Sequence, residues 1–391
     1  MKRSKPNILV ITYPFSSGVA GIALTNFIDM LEPLASEIYA ITGSFHDRTD
    51  RGVHIINIKG WERDETPWVK IYKYWRGQLK TSFHLWKISK NVDVVIFQLG
   101  TGGYTIPLLV AKLLGKKTMK IVTGLSSERA KELYAQWFYG YGGIIISVIN
   151  RTLERINFLI VDQIGIISKV AIHLMNLDRY KRKIIVNSTN YVNTNIFKMK
   201  RRLKDRENLV GFIGRLSPEK GVMNFIKAMP LILKERDDVK FLIGGGGVLF
   251  EQIKTELENN NLLHNKVRLT GFIQSRDEVS DYMNELKLFV LPSHDEGGPW
   301  TIPEAIECGT PVLAMSVGFV PDIIKDGQTG FILDNNSPEC IAKNVIRAIE
   351  HPKLDEITRN AHNLIEMDYS YKAAVEQCHN ALVELTKEKS A

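Results

Sequence analysis

The sequence predicts an α/β protein with two doubly wound parallel sheets, one in each half of the chain. Three observations lead there. Apolar runs of four or five residues recur along the chain, separated by segments of helix length. The runs are continuous rather than alternating, as strands covered on both faces require. The length, 391 residues, exceeds what one core usually organises, and 44% hydrophobic with 24% charged residues suits a globular chain of two domains.

In order, the expected strands of the first half are Asn7–Ile11, Glu37–Ile41, Val53–Ile56, Asp93–Phe97, Thr118–Val122, Phe158–Val161 and Lys183–Val186. The second half repeats the habit at Leu209–Ile213, Val239–Ile243, Val267–Thr270, Leu286–Val290, Pro311–Ala314 and Gly330–Leu333. Apolar periodicity lapses from Tyr191 to Asn208, where Asn, Lys and Arg accumulate, so the domains are set at 1–195 and 196–370. A last helix, Tyr371–Leu385, spaces Ala374, Cys378, Leu382 and Leu385 along one face. The basic start followed by Ile8–Ile11 reads as a first buried strand, since the apolar stretch is too short for a signal peptide. Leu133–Asn150 lacks charge, but Gln136 and several glycines make it a poor membrane span.

Charge separates the halves. Residues 1–200 carry 28 Lys/Arg against 14 Asp/Glu, and residues 201–391 carry 23 against 29. Such asymmetry points the first half at an anionic surface, lipid or nucleic acid. From Thr66 to Val92 there is no acidic residue, while Lys70, Lys73, Arg76, Lys80, Lys87 and Lys90 alternate with Trp68, Tyr72, Tyr74, Trp75, Phe83 and Trp86. This composition fits an interfacial helix on anionic lipid, a nucleic-acid surface, or a helix whose aromatics face the core. The expectation is the membrane, with the aromatic Leu133–Tyr141 as a second point of shallow insertion and no nucleic acid as partner. Cys308, Cys340 and Cys378 form no C-x-x-C pair, which suggests neither a disulfide framework nor a zinc site and so a reducing, cytoplasmic compartment.

The chemistry concentrates in two segments. Glu296-Gly-Gly-Pro-Trp-Thr-Ile-Pro-Glu304 follows the strand Leu288–Leu291 and opens a helix; a Gly-rich turn at such a place presents N–H groups and a positive dipole end to an anion. Gly214-Arg-Leu-Ser-Pro-Glu-Lys-Gly221 follows the strand Leu209–Ile213 in the same way, putting Arg215 and Lys220 where phosphate would sit. Two acids near a helix start can equally be solvated surface groups, and Arg215 and Lys220 can be charges around a tight turn. The combined context of strand, Gly/Pro turn and helix favours a diphosphate flanked by hydroxyls, as in a nucleotide-sugar.

These segments resemble the retaining glycosyltransferases of family four, built on the GT-B plan of two Rossmann-like domains facing across a cleft. The resemblance is detailed over Asn208–Leu333 and architectural before it. It implies a donor-binding second domain, an acceptor-binding first domain, and a last helix, 371–391, that packs back on the first domain. By the same resemblance Arg215 and Lys220 clamp the donor diphosphate, Glu296 orients the donor sugar, and Glu304 binds the ribose. Gly297, Gly298, Trp300 and Thr301 line the phosphate turn, although Pro299 lacks an N–H there. Gly244–Gly247 resembles the loop near the base, with plain close packing an equal reading. Gly271-Phe-Ile273 lies where main chain meets the nucleobase. Gly18, in Pro14–Gly21, corresponds to the loop closing over donor and acceptor, without the usual adjacent glycine pair. Where many relatives carry a histidine this chain has Thr123–Glu128, leaving Ser126 and Glu128 as acceptor-side candidates. No D-x-D occurs, so neither metal nor cofactor is expected, and the cations are Arg215 and Lys220.

The function expected is retaining transfer of a sugar from a nucleotide-diphosphate donor to a sugar or lipid-linked acceptor, such as a polysaccharide precursor, by a peripheral protein at the inner face of the plasma membrane. A nucleotide-sugar epimerase of the same plan and a non-catalytic nucleotide-sugar or nucleic-acid binder are the alternatives. The first half shows no set of carboxylates and histidines that an epimerase would need.

Overall fold

The computed structural model describes residues 5–12, 18–43, 52–58, 67–98, 103–123, 142–186, 190–260, 262, 265–296 and 298–387. The chain forms two compact units: Met1–Tyr191 with Ala374–Ala391, and Val192–Ala373.

Unit 1 runs β1 (Ile8–Ile11), α1 (Gly18–Leu31), β2 (Ile38–Thr42), β3 (Val53–Asn57), α2 (Pro67–Ile88), β4 (Val94–Phe97), α3 (Thr105–Leu113), β5 (Lys117–Val122), α4 (Gly142–Ile160), β6 (Gln163–Ile166), α5 (Lys169–Leu174) and β7 (Ile184–Val186). Its seven strands lie in the order β3-β2-β1-β4-β5-β6-β7, all pairs parallel. Alternation within each strand divides the core between the two faces of the sheet. Ile8, Val10, Ile96 and Ile121 pack beneath α1, while Leu9, Ile11, Phe97 and Val122 pack on the other side with Leu85 of α2, Leu108 of α3 and Phe158 of α4.

Unit 2 runs β8 (Leu209–Ile213), α6 (Val222–Glu235), β9 (Lys240–Gly244), α7 (Phe250–Asn259), β10 (Val267–Gly271), α8 (Arg276–Glu285), β11 (Leu288–Leu291), α9 (Thr301–Glu307), β12 (Val312–Met315), α10 (Val320–Ile323), β13 (Phe331–Leu333), α11 (Pro338–Ile349) and α12 (Leu354–Asp368). The strand order is β10-β9-β8-β11-β12-β13, again all parallel. Helix α13 (Tyr371–Thr386) then carries Ala374, Cys378, Ala381, Leu382 and Leu385 into the α1 side of the unit 1 core.

One expected strand is a helix end. Phe158–Ile160 closes α4, and Val161 N still donates to Asn157 O at 3.0 Å, so the helical ladder runs through the apolar run. The strand is β6, whose Gln163 and Gly165 break the apolar pattern. A run of four apolar residues has no period of its own, and here the helical partner lies within the same segment.

Candidate active site

The candidate residues of unit 2 gather where four loops leave the carboxyl ends of β8, β9, β10 and β11. β8 has β9 on one side and β11 on the other, so the winding of the sheet reverses between β8 and β11, the place where open α/β sheets leave a crevice for ligand. The loops are tied by backbone. Gly214 N donates to Gly244 O, Leu216 N to Gly246 O and Gly245 N to Gly271 O, each at 2.9 Å, and His294 N donates to Glu219 O at 3.0 Å. Two positions make the approach possible. A side chain on Gly245 would place its Cβ 1.9 Å from Gly214 O, and one on Gly221, a left-handed residue with φ +66°, would place it 2.2 Å from Pro292 O. The glycines after β9 therefore serve close packing of one loop on another.

Lys220 and Glu296 meet across the reversal, Nζ to Oε1 at 2.5 Å, with side chains only 18% and 7% exposed. Lys220 ends a 3-10 turn, Pro218–Lys220, and Glu296 follows β11, so the pair joins the two phosphate-type loops. Arg215 is placed differently. Its side chain is 63% exposed and donates from Nη2 to Glu219 Oε1 at 2.8 Å. Burial pushes the Glu219 carboxyl up, but the Ser217 hydroxyl bonded to it and the Arg215 and Lys220 charges outweigh burial and hold it below the ordinary value.

Glu304 lies in the first turn of α9 and is buried, accepting from Arg276 Nη2 at 2.8 Å. Burial raises its carboxyl above the ordinary value, against the opposing charge of Arg276. Arg276 also lies over the Phe197 ring, 4.7 Å from its centre. The sequence reading missed Arg276. A signal existed in Ser275-Arg-Asp-Glu278, a capping box whose Ser275 hydroxyl accepts from Glu278 N and starts α8. It locates the helix but not the direction of the guanidinium.

Thr301 begins α9. Trp300 packs edge-on against Phe319 and Tyr369 at 5.7 and 6.2 Å between centres, and its N–H donates to Gly298 O. Ile273 sits against Gly244, where a Cβ would come within 2.9 Å of its Cδ1, and the neighbouring Phe272 is 78% exposed. Gly18 begins α1 in unit 1. Gly297, Ser126, Glu128 and the stretch Leu133–Tyr141 lie outside the described residues. Among the described residues no group of three or more His, Cys, Asp or Glu side chains is placed to hold a metal ion.

The unit 2 residues of the candidate site from Phe197 to Phe319 fall in one matching segment. Residues 193–364 match the glycosyl transferases group 1 family model. An uncharacterised glycosyltransferase of Methanocaldococcus jannaschii is 32% identical over 143 residues, 37% of this chain and 38% of the relative. The 2-deoxystreptamine N-acetyl-D-glucosaminyltransferase of Niallia circulans is 30% identical over 148 residues, 38% of each chain. This chain thus spans 38% of the length of either curated relative. In fold the likeness is complete: HepE of Anabaena, solved with UDP and glucose, superposes with a TM-score of 0.71 over 97% of this chain and 100% of its own, at 16% identity. The fold is GT-B, with two Rossmann-like α/β domains. The glycosyl transferases group 1 segment lies wholly within unit 2.

Proposed function

We propose that this protein is a retaining glycosyltransferase that moves a sugar from a nucleoside-diphosphate donor held by unit 2 to an acceptor held by unit 1. The observation that carries the reading is the convergence of Lys220, Glu296 and the Arg215 loop where the strand order of unit 2 reverses, inside the segment matching the glycosyl transferases group 1 model. Without donor, Lys220 and Glu296 neutralise each other. A diphosphate arriving beside Lys220 takes over the ammonium, and Glu296 is released to accept hydrogen bonds from the sugar hydroxyls. Arg215, exposed and held by Glu219 alone among the contacts described for it, exchanges that carboxylate for the distal phosphate. The two cations then stabilise the charge that gathers on the leaving diphosphate as the glycosidic bond breaks. The leaving phosphate accepts the acceptor proton on the same face, which retains the anomeric configuration. Glu304, with one oxygen engaged by Arg276, offers the other to ribose hydroxyls.

The acceptor in this reading is a lipid-linked or polysaccharide precursor, and the partner surface is the anionic inner face of the plasma membrane. No helix of the described residues is long and apolar enough to cross a membrane. The relative from N. circulans is named as an N-acetylglucosaminyl transferase, and HepE was solved with UDP, which supports a uridine nucleotide-sugar as the first donor to try. The test is a thermal-shift screen of a nucleotide-sugar panel, followed by NMR of the product released to water or to a sugar acceptor. The expected result is stabilisation by one donor class and a product with the donor's anomeric configuration, formed equally in EDTA. An inverted product, or no response to any nucleotide-sugar, overturns the reading.

A further inference from the structure

The helices covering the second face of the unit 1 sheet send Leu85, Leu108 and Phe158 into the core, yet they also carry large apolar side chains on their outward faces. In α2 the inward residues include Gln78, Thr81 and Ser82, all buried. The outward stripe is Tyr72, Leu79, Phe83 and Trp86, 55–64% exposed and spaced so as to share one face. Helix α4 repeats the pattern. Ser147, Glu154 and Asn157 are buried, while Ile144, Val148, Ile149 and Leu159 are 52–66% exposed. Helix α3 packs against both and adds Leu109 and Leu113, the latter 87% exposed. Gln78 Oε1 accepts from Ile106 N at 3.0 Å, and among the described residues Thr81 Oγ1 and Ser82 Oγ have no hydrogen-bond partner. Exposed apolar side chains that run on from helix to helix in this way mark a contact with something else.

Charge selects the partner. Arg76, Lys80 and Lys87 border the α2 stripe and Arg155 the α4 stripe, all exposed. Across α2, α3 and α4 the one acidic residue is Glu154, which is buried. A second copy docking through this face would oppose cation to cation. Acidic lipid head groups would neutralise the cations while the aromatic rings rest at head-group depth and the aliphatic chains go just below. We propose that the outward faces of α2, α3 and α4 together form one surface that seats unit 1 on an anionic bilayer, with α4 inserting beside α2. This rests on the membrane part of the function proposed above and adds two helices whose outward faces the sequence did not point out.

The experiment is flotation of the purified full chain with vesicles of phosphatidylcholine alone or with about one third phosphatidylglycerol, at low and high salt. Two variants accompany it: Phe83→Ser/Trp86→Ser in α2, and Val148→Ser/Ile149→Ser in α4, each checked for an unchanged thermal melt and unchanged nucleotide response. The expected result is binding to the phosphatidylglycerol vesicles alone, weakened by salt, and reduced at least about tenfold by either variant. If the α4 variant binds as well as the parent, the shared surface is refuted. If the parent ignores both vesicle types and light scattering shows a dimer that either variant dissociates, the face joins two copies and the proposal falls. Vesicle binding without any nucleotide response would sink the transferase reading and leave this surface standing.

Discussion

Around the site of unit 2 the charges drawn inward have partners: Lys220 has Glu296, Glu304 has Arg276, and the buried Arg206 donates to the carbonyls of Leu286 and Cys308 and to the Thr310 hydroxyl. Unit 1 holds Lys120 with its side chain fully buried, its Nζ 5.1 Å from the centre of the Tyr104 ring and, among the described residues, without a hydrogen-bond partner. Burial pushes that amine down to about 7, against a weaker pull from Glu154. The same all-parallel sheet thus carries polarity in two ways. In unit 2 it stands at the carboxyl ends of strands, neutralised in pairs that a ligand can exchange. In unit 1 it lies inside a helix layer whose apolar side faces out. A paired charge near a crevice indicates an exchangeable ligand site, whereas polarity buried under an apolar exterior indicates that the exterior is the functional side.

The first way to break this comparison is Lys220→Ala. Turnover should fall by about two orders of magnitude or more while the thermal melt of the protein changes little, because a half-buried cation that stabilises the leaving group is lost. Near-normal turnover would reduce the Lys220 and Glu296 pair to a structural contact. Next in size is Gly221→Ala. With a left-handed backbone and a Cβ 2.2 Å from Pro292 O, the substitution should cost about 2–3 kcal/mol in urea unfolding and weaken nucleotide binding, as the loops after β8 and β11 part.

Lys120→Met sharpens the unit 1 side. The folded amine titrates near 7 and the unfolded one near 10.4, so the unfolded chain binds more protons between those values and parent stability rises with pH across that window. The Met variant should be more stable than the parent by about 2 kcal/mol at pH 7, and the gap should narrow by pH 9. Denaturation midpoints of both proteins at the two pH values decide it; a gap that does not move with pH means that Lys120 is charged when folded. The smallest effect is expected from Arg276→Ala. Without the guanidinium the Glu304 carboxyl, already raised by burial, rises further, so a carboxylate bound to ribose is lost at higher pH as acid is added. Calorimetry of nucleoside diphosphate binding should show the acid limb moved to higher pH. An unmoved limb would separate Glu304 from the ribose.

Most strands could be read from sequence because continuous apolar runs such as Leu288–Leu291, set off by turns, fit strands covered on both faces. β6 could not, since Gln163 and Gly165 interrupt its apolarity while Phe158–Ile160, just before it, carries more. Lys220 and Glu296 were legible one by one from the turns around them, but their pairing joins residues 76 apart and has no local trace. The outward direction of the α2 stripe was hidden for another reason. Periodicity says that Tyr72, Leu79, Phe83 and Trp86 share a face, and it carries no sign for whether that face points in or out. Only the polar side opposite, with Gln78 under Ile106 N at 3.0 Å, decides the direction.

The path of the chain sets an order of assembly. Unit 2 is one uninterrupted stretch, whereas unit 1 is completed by Ala374–Leu385, whose side chains close over Ile8, Val10, Met119 and Ile121. On the ribosome the strands of unit 1 are made before unit 2, and the α1 side of their sheet lacks the side chains of Ala374–Leu385 until unit 2 has been synthesised. Unit 2 can therefore reach its native form before the helix that completes the unit 1 core exists.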